Sequence, residues 1–544
     1  MKKYILSFLA VSAMAVSACG DFLDVKSEGT PAVDNYFSND QQAIDAIDAL
    51  YSIMAQESFF GREIFWEQGA ANDVVWGRTR GYSTLATLNY TGDESPLRDV
   101  FKQSYIHISR SNWVVDKLLA KKATTTLTEV ESRSLGEAYF LRAFYHFYIA
   151  YRYGTKDQGV PFERYEDFPD GYNYSIPKQQ PSVVDNYKMI ISDLTEAESL
   201  LPEFSEYGAD DRGRAHKAAA VAYMAKVYAY WATWDSTQWE NVITCVNKLE
   251  TTYGRDLTSS IAKLFSSNVA DFWNEEYCWA IPGNGGSNGG GSEFPGVSLE
   301  NKGWGIYNGW GQNKPSYDIF EEMNKDGVGN ERVKQAILEY GQEFQFFGTT
   351  RRFWSNSDNE AGFAINKYMD AFKYDDPIAE GAVCANGDWP TTRCNFHLLR
   401  FADCLLLRAE AYLNTSRADL ATVDINRVRT RSHLDELPGT ATFADLYHER
   451  RCELAFEMTD HLYDLKRWAV SGEASIKALA IAELTAHPRV RHYEDRSDPD
   501  SDFSVGPYED YNTPKEWSDH KIVFPYPSEQ IKKSAGALKQ NANY

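Results

Sequence analysis

The sequence predicts a mainly α protein, a scaffold of paired helices that carries an irregular, loop-rich lobe. Three observations lead there. Apolar residues recur at helical spacing through long stretches on both sides of the chain's middle. Within those stretches small and aromatic residues alternate, which suits helices that approach closely and fill the remaining grooves with rings. The middle, residues 254–395, turns instead to Gly, Asn, Trp and Tyr.

Taken in order, the chain opens with Lys2 and Lys3, an apolar run from Tyr4 to Val16, and Ser17-Ala18-Cys19-Gly20. That run has the length of a signal h-region and is too short to span a bilayer. Residues 1–18 are therefore read as a lipoprotein signal peptide, with Cys19 the acylated first residue of the mature protein. A multiply acylated terminus holds a protein stably on a membrane. After a polar tail, helices are expected over residues 40–56, 97–120, 126–153, 182–201, 213–234 and 238–250, and again over 396–414, 417–432 and 442–456. The stretch from Ala215 to Ala232 places Ala at helical spacing among Tyr223, Tyr230 and Trp231. Such pairs are tetratricopeptide-like, although no strict 34-residue period runs through the chain. The expected organisation is an N-terminal helical part over 19–253, a ligand-binding lobe over 254–395 and a C-terminal helical part over 396–544. Loops laid over a rigid scaffold are where binding residues tend to sit. Within the lobe, Tyr277–Ile281 reads as a strand, and residues 484–527 form a second irregular region.

Composition excludes several function classes. The 544 residues carry a formal charge of −23, and loss of Lys2 and Lys3 with the signal leaves −25. With no Lys/Arg run, the chain lacks the basic face that nucleic acid needs. Of the seven Cys, none forms a CxxC pair, which argues against zinc and redox chemistry. Cys404 and Cys452 sit in apolar helical patterns and read as core; Cys384 and Cys394 flank a Gly/Pro turn and are candidates for a disulfide.

Few motifs point to catalysis. Gly285–Gly289 matches G-x-S-x-G, but Gly290, Gly291 and Pro295 follow where a nucleophile elbow needs a helix. No HExxH is present. Asp498, Asp500 and Asp502 alternate as a calcium loop begins, yet the Gly and closing Glu of such a loop are missing, so a solvated acidic loop is the better reading. The dense charges from Glu449 to Arg467 have the spacing of structural ion pairs on helices. No metal, cofactor or catalytic residue is expected, and no pair of carboxylates stands out for glycoside hydrolysis.

The aromatic residues are more informative. Trp76 lies beside Asn72, Asp73, Arg78, Arg80 and Tyr82, and GWGIYNGWGQN offers Trp304, Tyr307 and Trp310 among Gly, Asn and Gln. A sugar stacks its C–H face on an indole while its hydroxyls need amide and charged partners at the rim, so this pairing suits carbohydrate.

Several segments together resemble one family, the SusD/RagB outer-membrane lipoproteins of Bacteroidetes. They are CGDFLDV after the signal, AYFLRAFYHFYIAYRYG followed by GVPF, GRAHKAAAVAYMAKVYAYWA, RFADCLLLRAEAYLN, INRVRTRS, ERRCELAFEMTDHLYDLKRW and the closing PYPSEQIKKSAGALKQNANY. The resemblance implies a tetratricopeptide-like scaffold with a ligand-binding lobe. It also implies a surface-exposed protein of the outer membrane, anchored there by acyl chains such as palmitate, that binds glycan and lids a SusC-like TonB-dependent transporter. Some relatives handle peptides, which keeps a peptide-import reading open. Family members that bind starch hold it on an arc of aromatic rings. Trp76 and Trp310 fall where two such rings are expected, with Phe294, Trp304 or Tyr307 as the third and Asp73, Asn72 and Arg78 as polar rim.

Overall fold

The computed structural model describes residues 36–76, 83–168, 170–172, 177–266, 268–283, 313–346, 349–353, 361–368, 394–458, 460–508 and 514–544. Among the described residues, six long helices build the N-terminal part: α1 (Asp40–Tyr51), α2 (Ser95–Lys122), α3 (Glu129–Tyr153), α4 (Val183–Leu200), α5 (Lys217–Trp231) and α6 (Trp239–Thr251). From α2 onward each packs against the next, giving the row of helix pairs that the periodicity predicted.

Local chemistry sets the ends of these helices. Thr128 and Glu131 form a reciprocal capping box at the start of α3, and Ser182 caps α4 by accepting from the Val184 amide. Helix α3 is buried on nearly all sides from Ser134 to Ala150 and forms the centre of the core. It can lie close to α4 because residue 136 is glycine; a Cβ there would meet the Leu200 Cβ at 2.9 Å. The alanine-rich α5 is likewise buried over Ala218–Val227 and touches α4 and α6.

The chain then leaves the helix row. Strand β1 (Val74–Trp76), which lies early in sequence, pairs antiparallel with β3 (Asn313–Pro315), and β2 (Tyr277–Ile281) pairs with β8 (Phe396–Arg400). Strands β4 (Ile337–Glu339), β5 (Glu343–Phe346), β6 (Thr349–Arg352) and β7 (Phe363–Ile365) complete two small ribbons, and a short helix, α7 (Tyr317–Asn324), follows β3. The C-terminal part returns to helices with α8 (Phe401–Asn414), α9 (Ala418–Arg431), α10 (Phe443–Glu453), α11 (Asp460–Ala469) and α12 (Ala474–Thr485). Helix α8 packs on α5 and α6, so the second half continues the stack begun by the first. A hairpin of β9 (Arg489–Tyr493) and β10 (Phe503–Pro507) lies within the region read as irregular.

The expected helix over 396–414 begins only at Phe401, because Phe396–Arg400 pairs with Tyr277–Ile281. An unbroken apolar run gives periodicity no means of marking where strand becomes helix. Helices α11 and α12 lie beyond the last predicted helix; Phe456 sits in the left-handed region at φ 67° and breaks the chain direction before α11. Cys404 and Cys452 are fully buried in α8 and α10, as their apolar surroundings implied.

A buried ionic network binds the C-terminal helices to the middle of the chain. Glu453 of α10 meets Arg400 of β8 at 2.8 Å, Arg332 at 3.2 Å and Arg431 of α9, while Arg400 also reaches Glu276 at 2.7 Å and Glu457 at 2.6 Å. Burial acts to raise Glu453, but Arg431, Arg400 and Arg332 outweigh it and hold the carboxyl far below its usual range. The charge-dense string around residue 450 is thus consumed internally.

Candidate functional site

The site expected from the sequence centres on Trp76, and the structure shows how its segment is held. A run of 3-10 helix over Glu63–Ala71 ends at Asn72, whose φ of 61° is the left-handed conformation that Asn adopts at little cost. That turn aims the chain into β1. The register opposes Val74 to Pro315, Val75 to Lys314 and Trp76 to Asn313. Trp310 precedes Asn313 by three residues in sequence and lies outside the described residues.

Polar side chains lock the ribbon in place. Ser316 donates its amide to the Asp73 carbonyl at 2.9 Å and its hydroxyl to the Asn72 carbonyl at 2.6 Å. Asn313 donates from Nδ2 to the Phe65 carbonyl at 3.2 Å. Asn72 donates to the Glu483 carbonyl at 3.2 Å and accepts from Lys515 Nζ at 3.0 Å. Asp73 accepts from Arg451 Nε at 2.8 Å, and Arg451 also reaches Glu483 at 2.9 Å and the Tyr447 hydroxyl at 3.0 Å. Burial raises the Asp73 carboxyl to about 6 despite the opposing pull of Arg451, and burial lowers Lys515 to about 8.

These placements bear on the sequence-derived residues one by one. Asn72 and Asp73, offered as the rim of a ligand site, are only 2% and 6% exposed, and their polar atoms are engaged inside the protein. They brace the ribbon from within the protein, because the same hydrogen-bonding capacity that would serve a sugar is used internally. Trp76 lies in β1, opposite Asn313. Arg78, Phe294, Trp304, Tyr307, Trp310, the G-x-S-x-G stretch and Cys19 lie outside the described residues. Cys384 does too; Cys394 is buried, with its thiol donating to the Phe265 carbonyl at 2.9 Å.

Sequence reasoning did not find Ser316 or Lys515, which act on Asn72 and Asp73 from far along the chain; Arg451 belongs to the string read as structural ion pairs, although its partners Asp73 and Glu483 were not legible. The arrangement also bears on metal binding at this spot. Asp73, His461 and Glu483 bring potential metal-ligand atoms within 4.8 Å of one another. The Arg451 guanidinium bridges both carboxylates, so the chain supplies its own cation there. In the acidic loop, Asp500 is paired with Arg352 and its amide donates to Asp498 at 2.9 Å, which makes a solvated turn between β9 and β10.

The family model described as the SusD family matches residues 223–544, and one described as starch-binding associating with outer membrane matches residues 21–229. SusD-like protein P2 of Formosa agariphila is 25% identical over 503 residues, which cover 87% of this chain and 92% of that protein. Among solved structures, a SusD-like protein of Bacteroides fragilis superposes with a TM-score of 0.72 at 21% identity, over 94% of this chain and 99% of its own. A laminarin-binding SusD-like protein gives 0.68 at 20% identity, over 93% of this chain and all of its own, 100%.

Proposed function

This chain belongs to the SusD family, and from that membership we propose that it is a cell-surface lipoprotein that captures glycan and delivers it to a SusC-like TonB-dependent transporter for import. The match of the SusD family model over residues 223–544 carries the reading. The second matching family model, described as starch-binding associating with outer membrane, and the laminarin ligand of a relative of like fold both favour carbohydrate. The protein acts by binding and leaves cleavage to others. Cys19 supplies the lipid anchor at the outer membrane. Tethering keeps the protein near a membrane partner and raises its effective concentration there.

The glycan lies over the β1–β3 ribbon. Trp76 and Trp310 stack on sugar faces, Trp304 or Tyr307 gives a third ring, and Arg78 reaches ligand hydroxyls. Asn72 and Asp73 contribute as braces that keep β1 at a fixed height and orientation. Rigid support matters because each ring stacking is worth on the order of 1 kcal/mol, an amount lost if the ring must be ordered on binding. Calorimetry on Trp76→Ala and Trp310→Ala with laminarin and starch oligosaccharides tests the assignment. About five- to tenfold weaker binding with an unchanged melting temperature is expected for each. Unchanged affinity in both would refute it.

A further inference from the structure

A cavity lies in the helix scaffold. It has a volume of about 380 Å³, within the span of about 300–1,000 Å³ usual for small-molecule pockets. It forms where the end of α5 turns into α6 and meets the ends of α8 and α11 and the start of α10. Four rings line it: Trp234 and Phe443, both half-buried, and Trp239 and Trp468, both nearly buried. The Phe443 ring meets Trp468 edge-on, with centroids 4.9 Å apart and planes at 82°. Trp468 donates its indole N–H to Glu410 at 2.8 Å, which fixes the plane of that ring.

The polar lining narrows the ligand class. Arg467 is the one cation among the described residues lining the cavity, and it is committed to Glu410 through two bonds of 3.0 Å and to Asp464 at 2.6 Å. With its charge neutralised in this way, the cavity offers no net attraction to an anion, and the acidic balance of the whole chain repels one. Exposed Ser236, Asn414 and Glu473 add hydrogen-bonding groups at the mouth.

We propose that this cavity is a second saccharide site that holds a neutral sugar unit between Trp234 and the Phe443–Trp468 pair. Ring faces, a lining cation already committed to carboxylates and hydrogen-bonding groups at the mouth fit a pyranose better than an anion or a wholly apolar molecule. The proposal extends the glycan-binding reading but does not depend on the ribbon that carries Trp76. The two places are linked by α10: Phe443 and Arg451 are eight residues apart on it, about 12 Å at the rise of 1.5 Å per residue. A long glycan held at both places would gain avidity that a short one lacks.

The test is calorimetry of the full chain with laminarin and starch oligosaccharides. It compares the wild type, Trp76→Ala with Trp310→Ala, and each of those backgrounds with Trp234→Ala or Gly472→Trp added. Gly472 lines the cavity and an added Cβ there meets nothing within 4 Å, so the Trp variant blocks the space without disturbing the core even if Trp234→Ala proves unstable. Binding that remains after loss of Trp76 and Trp310 should weaken by about five- to tenfold in both cavity variants, with the melting temperature unchanged. Residual binding insensitive to both cavity variants, or no residual binding at all, overturns the second site while leaving the ribbon reading intact. Sensitivity to the cavity variants alone supports the second site and sinks the ribbon reading. Failure of the wild type to bind any saccharide in the set overturns both.

Discussion

Arg451 and Asp73, 378 positions apart in sequence, meet inside the protein with the guanidinium Nε 2.8 Å from the carboxylate Oδ1. The pair fixes the residues just before β1, and Glu483 and Tyr447 complete the shell around the same guanidinium. Removing one member of a buried pair leaves an uncompensated charge, which typically costs about 3–5 kcal/mol. Arg451→Met should lower the unfolding free energy by that amount in urea titration. Arg451→Lys should recover only part of it, because an ammonium cannot reproduce the planar fork that serves both carboxylates. A loss under about 1 kcal/mol for Arg451→Met would show that the pair is not a brace.

His448 of α10 lies between Glu322 at 2.6 Å and Asp326 at 2.9 Å, bridging toward α7. Burial alone would lower its pKa; its hydrogen bonds to Asp326, Cys452 and Glu322 outweigh this and hold it up at about 12. A raised pKa in the folded state means that the charged form stabilises the fold fully below the unfolded value near 6.5 and that this stability is lost as pH rises from there toward 12. Between pH 7.5 and 9 the wild type should therefore lose up to about 1.4 kcal/mol per pH unit more than His448→Gln. Parallel stability profiles for the two proteins would contradict this.

Ser316 performs three tasks at once. Its hydroxyl donates to the Asn72 carbonyl and accepts from the Ile319 amide as the cap of α7, and its backbone amide holds the Asp73 carbonyl. Ser316→Ala keeps the amide and loses the rest, so a destabilisation of about 1–2 kcal/mol is expected. Ser316→Gly should behave similarly for the lost hydroxyl. Thermal unfolding of the two variants checks this, and an unchanged melting temperature in both would count against the clamp.

Cys19→Ala should release the protein from washed membranes into the soluble fraction, because no helix among the described residues is long and apolar enough to cross a bilayer. Fractionation with detection of the acyl modification by mass spectrometry checks it. A variant that stays on membranes would mean that Cys19 is not the anchor.

The helix row was legible because α3 and α5 write their packing into local spacing: rings and alanines at helical intervals, capping residues at the ends. The boundary at Phe401 was not, since a buried strand and a buried helix look alike in an apolar run. The ribbon around Trp76 was half legible. The residue types beside Trp76 signalled hydrogen bonding, but whether Asn72 and Asp73 served a ligand or the protein depended on Arg451, Glu483 and Lys515, and nothing in the local pattern points to residues so far away. Some of what sequence reasoning passed over did leave a trace. WATWDSTQW concentrates Trp231, Trp234 and Trp239 in one short stretch, which a search for ring clusters outside loops would have found.

The brace beneath β1 has a further consequence, for the order in which the molecule assembles. Asn72 draws on Glu483 and Lys515 across separations of 411 and 443 residues, whereas most helix pairs join neighbours in the chain. Contacts between near neighbours close quickly, and those spanning most of a chain close slowly, after the loops between them have collapsed. Closure of the ribbon therefore waits on residues near the far end of the chain, as does closure of the core around Tyr153, on which Tyr526 stacks. A chain halted before Lys515 would lack both the cation that holds Asn72 and the Phe524 and Tyr526 rings buried against the end of α3.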